Sequence, residues 1–212
     1  MTTTAPIMRT ELLADFDALL ARQFEALAAP GVWFTGAEQI EIAAQSRRAI
    51  AGQPAGHDDL DPTVREVTRR IAAEASTIRP EQIERWQGHG VTGEMYVEIL
   101  SIVARLSALD TAAYGLGLDQ PVLPTPTSGE PSNETVDEAE PNKGWVPTVG
   151  EAHPLTALTA VPGAHDLQFD IHNTLYLSIE MMGDTQAARD GVHRTQIELA
   201  AARTSYLNEC FF

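Results

Sequence analysis

Apolar residues recur at helical spacing along most of this chain, and this periodicity constrains the fold more than any other feature. The clearest case is residues 9–29, where large apolar side chains follow one helix face and Pro30-Gly31 ends the run. That stripe consists of Leu12, Leu13, Phe16, Leu19, Leu20, Phe24 and Leu27. The alternating patterns typical of strands are nearly absent. The sequence therefore predicts an all-α fold.

Local start and stop residues bound the other helices. Asp61 followed by Pro62 predicts a helix start, because aspartate caps free backbone amides and proline fits the first helical position. Residues 92–114, opened by Thr92, are so densely apolar that they predict a helix buried on much of its circumference. The remaining predicted helices are 37–51, 64–76, 79–86, 166–182 and 193–207.

One segment departs from the helical pattern. Eight of the thirteen prolines fall between Pro121 and Pro162, and residues 127–143 have almost no large apolar side chain. We expect a single all-helical domain over residues 1–212, in which residues 118–163 form a Pro-rich arm or lid with docked ends and a mobile middle. A solvated linker without a function of its own also fits this composition.

Composition excludes several classes of function. The net charge of −16 argues against a nucleic-acid surface, which needs clustered Lys and Arg. A single cysteine, Cys210, excludes an internal disulfide and an all-cysteine metal cluster. No apolar run approaches the ~20 residues of a spanning helix, and the first residues do not resemble a secretory signal. We expect a cytoplasmic protein that binds neither nucleic acid nor a membrane.

Cofactor and metal motifs are not found in the sequence. It has no glycine-rich phosphate loop, no nucleophile elbow and no His-Glu-x-x-His. His165 and His172 are seven residues apart, but two ligands do not make a metal site. We therefore expect no cofactor and no metal.

The C-terminal segment carries the most informative motif, in which Glu198 precedes Cys210 by twelve positions. On one straight helix twelve residues rise about 18 Å, so the two side chains meet only if the helix breaks between them. Thr204, Ser205 and Asn208 favour such a break. If Asn208 caps a new helix, Cys210 lies in its first turn, where the thiolate is favoured and Glu198 is placed to accept its proton.

This spacing, with serine and asparagine shortly before the cysteine, resembles the alkyl hydroperoxidase D-like family, also called carboxymuconolactone decarboxylase-like. Redox members of that family carry Glu-x11-Cys-x-x-Cys-x-x-x-His. Segments upstream resemble an extended bacterial subgroup, so the resemblance covers roughly residues 10–212. These segments are 94–99 followed by Asp110, 144–147, and 194–199.

The resemblance implies an all-helical homo-oligomer that reduces peroxides or disulfides through thiol chemistry. It matches Cys210 to the first cysteine of the redox pair and Glu198 to the proton-relay carboxylate. The second cysteine, usually the peroxide-attacking sulfur in such proteins, would be residue 213. The implied partners are a peroxide or other small-molecule substrate and a thiol reductant whose identity the sequence does not give.

Three explanations of the missing second redox residue stay open. The chain is a fragment, or its reading frame stops at a UGA codon that encodes selenocysteine, or the protein has lost that residue. The coding DNA after Phe212 distinguishes them.

Two other functions compete with peroxide reduction. A lyase of the decarboxylase branch would act on a small lactone acid without redox cysteines, with Arg194 and Arg203 as a local basic pocket. A non-catalytic helical assembly would use its amphipathic helices for subunit contacts.

Three further carboxylates deserve comparison with Glu198. Glu41 and Glu98 lie in looser copies of the Glu198 segment, and Asp110 stands twelve residues after Glu98. We expect all three to be buried or half-buried structural carboxylates.

Overall fold

The computed structural model describes residues 5–56, 59–141 and 144–209, and this part of the chain is mostly helical. Its α-helices are α1 (Ala5–Ala28), α2 (Gly36–Ile50), α3 (Pro62–Glu74), α4 (Pro80–Gln87), α5 (Gly93–Leu116), α6 (Ala164–Leu175), α7 (Ile179–Met182) and α8 (Arg194–Leu207). The predicted all-α character is confirmed.

Strands contribute two short antiparallel ribbons. The first pairs β1 (Ala139–Glu140) with β2 (Thr148–Val149), and the second pairs β3 (Ala188–Arg189) with β4 (Val192–His193). Each strand has two residues, so the ribbons close turns in the connecting segments and form no sheet layer.

Side-chain caps start two helices where the sequence predicts them. Asp61 Oδ1 accepts hydrogen bonds from the backbone amides of Thr63 at 2.7 Å and Val64 at 3.3 Å, and Pro62 opens α3. Thr92 Oγ1 accepts from the amide of Met95 at 3.2 Å and caps α5. Both predicted helix starts are confirmed.

The chain divides into two compact units. Unit 1 comprises Met1–Leu19 and Asp170–Phe212, and unit 2 comprises Leu20–Phe169. The expected single domain over residues 1–212 stays a prediction. Each unit is described by itself below.

The core of unit 2 is built around α5, which packs with α2 and α3. Buried residues occur on several faces of α5, as the dense apolar pattern predicts. Trp86 of α4 is 1% exposed and stacks on Tyr96 of α5, with ring centroids 6.1 Å apart. α5 is therefore the central helix of the core of unit 2.

Among the described residues α5 is also the one helix long and apolar enough to cross a membrane by length and composition, contrary to the expectation that no apolar run approaches that length. Core helices of soluble proteins meet the same criterion. Since α5 buries the charged residues Glu98 and Arg105 inside unit 2, this finding does not show a membrane protein.

The arm over residues 118–163 has little regular structure, but its middle is not free of the rest of unit 2. The backbone amide of Thr127 donates to the Ala28 carbonyl at 2.8 Å, and the amide of Asn133 donates to the Val32 carbonyl at 2.9 Å. The middle of the arm, which we expected to be mobile, is thus hydrogen-bonded to the end of α1 and to the loop between α1 and α2.

The helix predicted over residues 166–182 is interrupted between α6 and α7. The Arg189 guanidinium donates to the carbonyls of Asn173 at 3.2 Å and Tyr176 at 2.6 Å, and also to the carbonyl of Thr174. These carbonyls lie at the end of α6, where the last turn lacks helical partners. A cation from a distant segment thus caps α6, and the prediction of one continuous helix is wrong.

Candidate functional site

Glu198 lies on α8, whereas Cys210, its expected partner, lies outside the described residues. α8 runs without interruption through Thr204, whose hydroxyl donates to a carbonyl one turn earlier at 2.9 Å, so of the residues expected to favour a break it is Asn208 that ends the helix. The helix ends at Asn208, whose backbone amide and side-chain amide both donate to the Thr204 carbonyl, at 3.0 and 2.9 Å.

The chain changes direction immediately after α8. Glu209 has a φ of 55°, the left-handed conformation that commonly ends a helix. Asn208 is thus the C-cap of α8, and the prediction that it begins a new helix is wrong, because Glu209, which would be the first residue of that helix, is left-handed. The required break between Glu198 and Cys210 is present, four residues later than Thr204.

The carboxylate of Glu198 is held by two donors from unit 1. Arg194 Nε donates to Oε1 at 2.9 Å, and the Tyr176 hydroxyl forms a second side-chain hydrogen bond. The Tyr176 bond, followed by Arg194, lowers the pKa of Glu198, while burial and the same bond raise the pKa of Tyr176. Glu198 is therefore ionised at neutral pH, and its side chain is 43% exposed.

Arg194 is committed to contacts within unit 1. Besides its bond to Glu198, its Nη1 donates to three main-chain carbonyls, those of Met181, Met182 and Asp184, at 2.8, 2.7 and 3.2 Å. Arg203 lies over the ring of Tyr206, 5.4 Å from its centroid. Arg194 therefore does not contribute to the basic pocket that we expected it to form with Arg203, because its guanidinium is hydrogen-bonded to Glu198 and to main-chain carbonyls.

Metal-ligating side chains do not gather in the described ranges, where no group of three or more His, Cys, Asp or Glu residues has a geometry that could hold an ion. His165 packs on Phe169 with ring centroids 4.4 Å apart, and His172 meets Tyr176 edge-on at 5.1 Å. These histidines make aromatic contacts.

A second group of polar side chains, not predicted from the sequence, lies in unit 2 on one face of α5. Glu98, Ser101 and Arg105 follow one another at spacings of three and four residues, so they project from the same side of the helix. They are 4%, 2% and 5% exposed. The predicted burial of Glu98 is confirmed, whereas Arg105 was not singled out from the sequence.

Glu98 binds the loop between α1 and α2. Its Oε1 accepts from the amide of Val32 at 3.0 Å, and its Oε2 accepts from the amide of Trp33 at 2.7 Å. Gly31 approaches so closely that a Cβ there would collide with Oε1. Burial raises the pKa of Glu98 to about 7, although the two amides and the charge of Arg105 lower it.

Arg105 is almost fully enclosed by neutral partners. Its Nε donates to Ser101 Oγ at 3.3 Å, and its Nη1 donates to Gln23 Oε1 at 2.9 Å. Gln23 is itself fixed by a bond from its Nε2 to the Leu167 carbonyl at 2.9 Å. Burial lowers the pKa of Arg105 to about 10, against the charge of Glu98, so Arg105 stays cationic at neutral pH.

These side chains line a cavity of about 350 Å³ within unit 2, here called the Glu98–Arg105 cavity. The loop after α1 supplies one wall, the arm supplies Ser132 and Glu134, and Val161 and Leu167 add apolar surface. The volume lies at the lower end of the range of small-molecule pockets.

Sequence reasoning missed this cavity because its parts are distant in the chain. Val32 lies 66 residues from Glu98, and Gln23 lies 82 residues from Arg105. One feature was available in the sequence: opposite charges seven residues apart inside a helix predicted to be buried, where unpaired charges are rare.

Asp110 behaves as the structural carboxylate that we expected. It accepts from Arg47 Nε at 2.9 Å and Nη2 at 2.7 Å, and from Gln120 Nε2 at 2.9 Å. α5 is continuous between Glu98 and Asp110, so about 18 Å of helix separates them. Glu41 is half-buried on α2.

No protein-family model, curated protein or solved structure matches this chain. The function is therefore inferred from the motif and from the geometry of the two groups of side chains.

Proposed function

We propose that this protein is a thiol-dependent peroxidase or disulfide oxidoreductase, with Cys210 as a redox thiol and Glu198 as the carboxylate that handles its proton. The observation that supports the proposal is the state of Glu198. The glutamate of the Glu-x11-Cys motif is ionised, partly exposed and held by Arg194 and Tyr176. Because α8 ends at Asn208, the chain turns before it reaches Cys210.

The proposed reaction uses the peroxide as oxidant and an external thiol as reductant. Glu198 accepts the Cys210 thiol proton, and the thiolate attacks one peroxide oxygen. The O–O bond breaks, the leaving alkoxide takes up the proton, and the products are an alcohol and a sulfenic acid at Cys210.

Two thiols then restore the enzyme. The first displaces water from the sulfenic acid and forms a mixed disulfide with Cys210, and the second releases Cys210 and leaves as the oxidised disulfide. A second redox residue of the kind that the resemblance implies, cysteine or selenocysteine, would attack the peroxide in place of Cys210, and Cys210 would then resolve it.

The proposal includes a cytoplasmic homo-oligomer. None of the residues described in α8 is buried, and Leu199, Tyr206 and Leu207 are all more than half exposed. Exposed apolar side chains on one short helix are typical of a surface that another chain covers. Light scattering of the purified chain tests this part of the proposal.

A lactone-acid lyase and a non-catalytic assembly are the alternatives. The lyase was expected to use a basic pocket that includes Arg194, but Arg194 is bound to Glu198 and to main-chain carbonyls. No observation in the described residues favours the lyase at this site.

Peroxide consumption with dithiothreitol as the reductant tests the proposed function. We expect Cys210→Ser to abolish turnover and Glu198→Gln to slow it about tenfold or more, since the carboxylate no longer accepts a proton. Glu41→Gln is the matched control, because Glu41 lies in the same Gln-Ile-Glu context on α2, and turnover should stay within about twofold.

Turnover that survives Cys210→Ser contradicts the proposal. Decarboxylation of a lactone acid by the same variant would support the lyase instead. A folded chain with neither activity would support a non-catalytic assembly.

A further inference from the structure

Arg105 is a buried cation whose hydrogen-bonding capacity is only partly used. Its bonds within the described residues run from Nε and Nη1 to the neutral oxygens of Ser101 and Gln23, and none of them involves Nη2. Glu98, the nearby carboxylate, directs both oxygens to the amides of Val32 and Trp33. A buried cation without a hydrogen-bonded anion is unfavourable, so the site is suited to receive one.

The Glu98–Arg105 cavity has room for such an anion and shows what kind it would accept. Arg105 offers the flat guanidinium edge that binds carboxylates. Glu98 and Glu134 on the same walls oppose a second negative charge, which disfavours phosphate dianions. Val161 and Leu167 add apolar surface that fits a short hydrocarbon chain.

We propose that the Glu98–Arg105 cavity binds a small monocarboxylic acid, whose carboxylate pairs with Arg105 and whose short apolar body lies against Val161 and Leu167. This site is built entirely from unit 2. It requires neither Cys210 nor Glu198 and is separate from the proposed peroxide reaction.

Binding at this site is coupled to protonation of Glu98. The charged groups that act on Glu98 are Arg105 on its own helix and Glu38 on α2, and Glu134 of the arm lines the same cavity. A bound carboxylate beside Glu98 adds negative charge and favours its protonated form. Binding therefore takes up part of a proton near pH 7, and affinity falls as the pH rises from 6 to 8.5.

Isothermal titration calorimetry of the full chain with butyrate tests the proposal, with butyramide and inorganic phosphate as probes of charge and valence. We expect butyrate to bind at one site and both other probes to bind at least about tenfold more weakly. We expect Arg105→Gln to weaken butyrate about tenfold or more. Arg47→Gln is the matched control, because Arg47 is a partly buried arginine of unit 2 outside the cavity, and Cys210→Ser should also leave the affinity unchanged.

If Arg105→Gln does not fold, titrations of the wild-type chain alone test the proposed site. Titrations at pH 7 in two buffers of different ionisation enthalpy measure proton uptake, and titrations from pH 6 to 8.5 measure the fall in affinity. Uptake of protons on binding, together with a butyrate affinity that falls as the pH rises, supports the proposed site. Absence of butyrate binding, equal binding of butyramide, tighter binding of phosphate, pH-independent binding, or unchanged binding by folded Arg105→Gln overturns it.

Discussion

Glu98 and Arg105 lie two helical turns apart on one face of α5 and line the same cavity. Each of them makes its hydrogen bonds to other residues, Glu98 to Val32 and Arg105 to Gln23, for example. Glu98 is bound by two backbone amides, and Arg105 is bound by neutral side-chain oxygens. Their interaction is electrostatic, since the charge of each favours the ionised form of the other. This arrangement makes the stability of unit 2 dependent on pH.

We expect the ionisation of Glu98 to lower the free energy of unfolding as the pH rises from about 4.5 to 7. Its pKa is 4.5 ordinarily and about 7 in the fold, so the folded state binds more protons within this interval. Stability must then fall with rising pH, by about 3 kcal/mol over the full interval. Urea unfolding at pH 5, 6, 7 and 8 measures this slope in wild type and in Glu98→Gln, where the contribution should vanish. Equal slopes would contradict the raised pKa.

We expect Gly31→Ala to destabilise the protein by about 1–3 kcal/mol, because the added methyl group collides with Glu98 Oε1 and lies 2.7 Å from Gln39 Nε2. Gly115→Ala is the matched control. A Cβ at Gly115 meets nothing within 4 Å, and alanine in place of glycine inside α5 should stabilise by up to about 1 kcal/mol. Opposite shifts in thermal unfolding are expected, and destabilisation by both substitutions would argue against the close approach at Gly31.

We expect Asp110→Asn to destabilise the protein by about 1–3 kcal/mol, since it breaks a two-point ion pair with Arg47 whose side chains are only 15% and 17% exposed. Glu74→Gln is the control, because its pair with Arg70 lies on the surface of α3 and should contribute less than about 0.5 kcal/mol. Chemical denaturation measures both, and equal effects would show that burial does not strengthen the Arg47–Asp110 pair.

We expect Tyr176→Phe to raise the pKa of Glu198, because the lost hydrogen bond is the largest cause of its lowered pKa. Tyr206→Phe removes an exposed hydroxyl from α8 and serves as the control. Carbon-13 NMR titration of the glutamate carboxylates measures the change directly. A Glu198 pKa unaffected by Tyr176→Phe would contradict a contribution from Tyr176 and leave Arg194 as the cause of the lowered pKa.

Local patterns predict much of the fold. Asp61 and Thr92 cap helices as predicted, because capping depends on residues three or fewer positions away. The end of α6 was missed because Arg189, more than a dozen residues later, binds its carbonyls. The docking of the arm was missed for the same reason, since Thr127 bonds to a carbonyl 99 residues earlier.

The two candidate sites also differ in whether the sequence alone predicts them. Glu198 was found because its spacing to Cys210 is visible in the sequence. The Glu98–Arg105 cavity was not found because a buried charge shows its role only when its neighbours in space are known.

The most direct test of the central claim is mass spectrometry of the chain after one equivalent of hydrogen peroxide with a sulfenic-acid trap present. The proposed function predicts that the trap labels Cys210, and that labelling is slower in Glu198→Gln than in Glu41→Gln. Reduction of peroxide while Cys210 stays unlabelled and unoxidised would contradict the proposal.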